Sequence, residues 1–146
     1  MSNGNSPAPD ATSGLDLALL LMRVACALPV LYHGGQILFG TFAGPGPQGF
    51  ANYQHLPVVF GYLVGLAQFA GGFAILTGAF QRTGTLCVII VMLGAIFRVH
   101  LHRGFNIANG GMEFALTVLL LALGLSLSGP GAYSFRVLLP RSLQNL

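Results

Sequence analysis

Four apolar segments, at residues 15–39, 58–79, 83–101 and 112–128, decide what this chain can fold into. A helix rising about 1.5 Å per residue needs roughly 20 residues to cross about 30 Å of hydrocarbon, and the usable range begins near 17. All four segments reach that length. Runs such as Leu17-Ala18-Leu19-Leu20-Leu21-Met22 and Val118-Leu119-Leu120-Leu121-Ala122-Leu123 do not alternate, which argues against a membrane β-barrel of period two. Composition points the same way. Only 6% of the 146 residues are charged and 54% are hydrophobic, whereas about a quarter of an ordinary soluble domain is charged. The sequence predicts an all-α integral membrane protein, a bundle of four transmembrane helices.

Residues 1–14 are small and polar, include Pro7 and Pro9, and are expected to form a flexible tail. A membrane domain at 15–136 and a C-terminal tail at 137–146 follow. The first apolar segment has the acidic approach Asp10 and Asp16 and is too long for a cleaved secretory signal, so it reads as a retained helix. The connectors are a Gly/Pro-rich stretch at 40–57, a tight hairpin at 80–82 and a loop at 102–111. Four crossings put both termini and the Gln81-Arg82 turn on one side. That side carries Arg82, Arg136 and Arg141, the other Arg103 with Arg98 just inside the helix end, so the termini are expected to be cytoplasmic. Six scattered arginines make no basic stripe, so nucleic acid is not an expected partner. The expected partners are the lipid bilayer and other membrane subunits.

Polar side chains inside a membrane are costly and point to function by default. On the first helix His33 and Gln36 are i, i+3 neighbours. On the third, Arg98 and His102 are i, i+4 neighbours, with His100 turned to another face. Glu113 opens the fourth helix, and Gln68 lies at mid-depth on the second. Antiparallel packing brings His33, Gln36, Arg98, His102 and Glu113 to one level beneath the outer interface, a convergent polar cluster. The structural alternative is an Arg98–Glu113 ion pair that fixes helix ends, with His33 a helix contact beside Gly34 and Gly35. Arg23, nearer the inner side, is either an anchor for a headgroup or phosphate, or a structural arginine reaching inner phosphates or helix-four carbonyls. Pro29 removes one backbone hydrogen bond from the first helix and is expected to kink it.

No cofactor site is encoded. Cys26 and Cys87 form no Cys-x-x-Cys pair, and His100 and His102, two apart, point to nearly opposite faces of a helix. No metal spacing, haem motif or nucleotide fingerprint is present, so the residues themselves encode no cofactor and a bound lipid stays open. The small residues Gly61, Gly65, Ala67, Gly71, Gly72, Ala74 and Gly78 mark a packing face on the second helix, one that also admits a flat ring.

Arg23, then His33-Gly34-Gly35-Gln36-Ile37-Leu38-Phe39-Gly40, Ala67-Gln68-Phe69-Ala70-Gly71-Gly72, Leu76-Thr77-Gly78, Val99-His100, Gly104-Phe105, Gly110-Gly111-Met112-Glu113 and Gly129-Pro130-Gly131-Ala132-Tyr133-Ser134 occur in a specific order and spacing. Together they resemble the DoxX family of small bacterial membrane proteins, over about residues 15–136. The resemblance implies four membrane helices in the bacterial inner membrane. It also implies a link to redox work, since relatives include a thiosulfate:quinone oxidoreductase subunit and a membrane oxidoreductase complex of oxidative-stress defence. This chain departs from the family where Ile37 replaces a frequent Lys, Gln68 a frequent Glu, and Arg136 stands near a frequent Asp. Gln68 keeps hydrogen bonding but cannot hold a proton as a carboxylate does.

The sequence therefore reads as a noncatalytic accessory subunit of a membrane redox or energy-converting complex. The alternative is a quinone-binding oxidoreductase component that uses the outer polar cluster.

Overall fold

The computed structural model describes residues 11–143, and every regular element among them is helical. α1 (Ala11–Phe39) leads to a short α2 (Gly46–Gln54), then α3 (Val58–Thr77), α4 (Gln81–Ala95) and α5 (Glu113–Ser128). α4 continues through a π-helical turn, Ile96–His100, and a 3₁₀ turn, Leu101–Arg103. Among the described residues, three helices are long and apolar enough to cross a membrane: Thr12–Phe39, Val58–Thr77 and Gln81–Arg103. α5 is apolar but has 16 residues.

Three features differ from the sequence boundaries. α1 is already helical at Ala11 and continues through Pro29 as one element. Of the two expected tails, residues 1–10 and 144–146 lie outside the described residues. The stretch read as a connector contains α2, which begins with Pro in its first turn and closes on His55 in the left-handed conformation. Proline at a helix start loses no helical hydrogen bond and presets φ, so this Gly/Pro-rich sequence starts a short helix there.

α1 packs on α3, α3 on α4 and α4 on α5, while α2 lies against α3 and α1. The long helices meet backbone to backbone at glycines. A Cβ on Gly34 of α1 would lie 2.6 Å from the Phe69 nitrogen of α3, and one on Gly84 of α4 would lie 2.7 Å from the Gly71 carbonyl oxygen of α3. Lipid tails are as apolar as leucine, so helices in a membrane associate through such close packing rather than by escaping water. Cys26, Ala27 and Val30 of α1 meet Ile75, Val88 and Ala122 in the buried interior, while Leu28, Phe73, Leu86 and Leu127 face outward.

The end of the molecule where α1 begins and α5 finishes is tied by polar bonds. Buried Gln81 donates from Nε2 to the Leu125 carbonyl at 2.7 Å, joining the start of α4 to α5. Asp16 accepts the Ala132 amide at 2.9 Å, and Arg23 donates to the Tyr133 carbonyl. Two residues of α1 thus hold the Gly-Pro-Gly turn that follows α5.

Candidate functional site

The Gly71–Gly84 contact lies at the end nearest the Gln81-Arg82 turn. Towards the opposite end, α3 and α4 flank a cavity of about 790 Å³ that opens to the outer surface. Val64 of α3, Ile90 of α4 and Phe114 of α5 give it apolar walls, and α2 lies along it through Phe50 and Gln54. Small-molecule sites typically fall between about 300 and 1,000 Å³ and combine such walls with a few polar groups.

Gln68 is the deepest of those groups. It sits midway along α3 against the cavity and is 6% exposed, and its Oε1 has no hydrogen-bond partner among the described residues. An amide oxygen buried unpaired costs about 1–3 kcal/mol, so a site that keeps one calls for an explanation. His33, on α1, also lines the cavity. Its ring stands edge-on to Phe114, with centroids 6.1 Å apart, and to Tyr32 at 5.5 Å.

Arg98 and His100 reach the cavity from the π-helical turn. Arg98 donates from Nη2 to the Gln54 carbonyl at 3.1 Å, the last residue of α2, where helix-end carbonyls favour a cation. That bond fastens α2 beside the cavity. The His100 Nδ1 lies 2.7 Å from the Gly110 carbonyl in the loop before α5. The same loop is braced by Glu113, whose Oε2 accepts the Ile107 amide at 3.0 Å. Backbone bonds from Met112 to Gly104 and from Glu113 to Phe105, each 3.0 Å, complete it.

The five residues expected to cluster are therefore divided. His33 and Arg98 share the cavity wall, and Glu113 holds the neighbouring loop. Gln36 instead donates to the Tyr32 hydroxyl at 3.3 Å and to the Phe42 carbonyl at 3.5 Å, and His102 is exposed on the 3₁₀ turn. The considered Arg98–Glu113 pair gives way to two separate backbone attachments. The cause is local. A rotation of about 100° per residue places Arg98 and His102 on one face of a regular α-helix, but the π turn and the 3₁₀ turn break that rule between them.

Gln68 and His100 line the cavity as well. Gln68 was legible as a polar residue at mid-depth; no sequence signal marks the π turn that brings in His100. The glycines of α3 are occupied by helix contacts, Gly65 against Leu38, Gly72 against Leu31 and Gly71 against Gly84, so the cavity wall on this helix is built from side chains.

Arg23 lies at the other end and is fully buried. It bonds to the carbonyls of Tyr133 and, at 3.5 Å, Leu76 near the end of α3. Its partners are protein carbonyls of α3 and of the loop after α5. The described residues contain no group of three or more His, Cys, Asp or Glu placed to hold a metal ion. What the cavity offers chemically is an apolar slot, the amides of Gln54 and Gln68 and two imidazoles, with a guanidinium beside them.

The chain matches none of the curated proteins and none of the solved structures with which it was compared. A family model does match: that for DoxX, over residues 18–101, more than half of the sequence and including α3 and α4 with their cavity residues. This multi-pass membrane protein belongs to the DoxX family.

Proposed function

We propose that this chain is a subunit of a quinone-linked redox complex in the bacterial inner membrane, and that its own contribution is to bind a lipid-soluble quinone between α3 and α4. The single observation that carries this reading is the Gln68 amide, buried and with an unpaired oxygen, against an apolar cavity of about 790 Å³. A flat ring with polar oxygens satisfies both halves of that environment. Its apolar faces lie along Val64, Ile90 and Phe114, and its oxygens meet His33 and Gln68, a ring hydroxyl donating to Oε1 or, with the amide turned over, a ring carbonyl accepting from Nε2. The redox centres then reside on partner subunits, and this chain acts as the accessory that holds the quinone near them.

In this reading all four long helices cross the membrane and both termini are cytoplasmic. α5 at about 24 Å is shorter than the hydrocarbon core. Local thinning of the bilayer accommodates such a mismatch. Arg82, Arg136 and Arg141 then lie on the cytoplasmic side.

The test is purification from native membranes in mild detergent, with extractable quinone and co-purifying proteins measured together. Wild-type protein is expected to carry near-stoichiometric quinone and to travel with redox-active subunits, and Gln68→Leu to lose the quinone while remaining folded. Wild-type protein free of quinone, and unable to take it up when it is added, sinks the proposal.

A further inference from the structure

Resting on the quinone reading, the geometry at His100 points to a narrower ligand class. We propose that the cavity prefers the hydroxyl-bearing, reduced form of the quinone, and that the His100 Nε2 accepts the hydrogen bond that sets this preference.

His100 is half-buried on the cavity wall, and its Nδ1 lies 2.7 Å from the Gly110 carbonyl oxygen. A carbonyl oxygen only accepts, so the hydrogen of that bond is assigned to Nδ1. In the neutral ring Nε2 then has a bare lone pair, and it is the ring nitrogen left for an occupant of the cavity.

The Gly110 carbonyl is itself well placed for this task. Gly110 closes a 3₁₀ turn in the left-handed conformation, φ 76°, where glycine is at ease. The loop is pinned by the Asn106 side chain on the Ala108 amide and by Glu113 on the Ile107 amide. A fixed carbonyl gives a fixed tautomer. The other polar groups on the wall do not impose a choice. Gln68 and Gln54 can each turn an amide over to present either its oxygen or its NH2, the His33 ring has no printed hydrogen bond that would fix its tautomer, and the Arg98 guanidinium lies exposed and already gives one donor to Gln54. An oxygen that reaches His100 must bring a hydrogen. A hydroxyl does so, whereas a carbonyl would set lone pair against lone pair.

The probes are decylubiquinol and decylubiquinone, titrated anaerobically into the detergent-solubilised full chain. One neutral hydrogen bond predicts that the quinol binds about three- to tenfold more tightly. In His100→Leu the two affinities are expected to converge, while His100→Gln, which retains an acceptor, keeps part of the preference. Nitrogen-15 NMR of histidine-labelled protein supplies a readout independent of affinity. His100 should show a protonated Nδ1 and an unprotonated Nε2 whose resonance moves when the quinol is added. Equal affinity for the two forms, a preference that survives in His100→Leu, or a neutral ring protonated at Nε2 overturns the hydroxyl preference alone. Binding of neither form overturns the quinone reading and this inference together.

Discussion

Arg23, in the first half of α1, donates to the backbone carbonyl of Tyr133, 110 residues further along the chain. The same guanidinium reaches the Leu76 carbonyl of α3, so one fully buried side chain joins the first helix, the second long helix and the segment after the last. Gly78 makes this possible, since a Cβ there would collide with the arginine. Removing Arg23 leaves two carbonyls without their donor. Arg23→Met is expected to lower stability by about 1–3 kcal/mol and to expose residues beyond Ser128 to limited proteolysis. Arg23→Lys, which lacks the planar fork, should recover only part of the loss. Mass spectrometry of the cleavage products locates the released segment, and intact C-terminal residues in Arg23→Met would count against the tie.

Gly84→Ala tests the α3–α4 crossing. The new Cβ would lie 2.7 Å from the Gly71 carbonyl oxygen and 2.8 Å from the Ala74 Cβ, contacts that only a shift of the helices relieves. Overpacking of this kind costs about 1–3 kcal/mol. Gly94→Ala on the same helix is the control, because nothing lies within 4 Å of its added Cβ. Thermal unfolding in detergent should separate the two variants clearly, with Gly94→Ala at or slightly above wild type.

Glu113 is expected to tolerate Gln better than Ala. Its Oε2 accepts the Ile107 amide, a task that a Gln side-chain oxygen can also perform, whereas Ala leaves the amide to water and loosens the loop. The predicted cost is below about 0.5 kcal/mol for Glu113→Gln and about 1 kcal/mol for Glu113→Ala. Hydrogen exchange at Ile107 and Gly110 reports it directly. Equal loss of protection in the two variants would mean that the carboxylate charge, rather than the hydrogen bond, holds the loop.

Gln68→Leu separates stability from binding. The amide oxygen is buried without a partner, so an apolar side chain of similar volume should leave the ligand-free protein as stable as wild type or more so, by up to about 1 kcal/mol. Quinone retention should fall at the same time. A variant that melts well below wild type would place Gln68 among the structural residues instead.

Much of the architecture was legible in the sequence because long apolar runs in a chain this poor in charge leave few alternatives to membrane helices. The glycines that mark the packing face of α3 were legible too, since in lipid small residues are what lets helices touch. The short α2 was hidden, as its nine residues are too few and too polar to give an apolar pattern, and only its early proline hints at a helix start.

By itself, then, the sequence determined where the long apolar helices run, that they suit a membrane, and which polar residues stand out in them. Only the tertiary structure decided how those polar residues are used. Arg23 finds its carbonyl across more than a hundred residues, a pairing no local spacing encodes. His100 replaces His102 at the cavity because a π turn resets the direction of every side chain that follows it. Glu113 and Arg98 turn to separate backbone groups, since hydrogen-bond partners are set by where loops settle once the helices have packed.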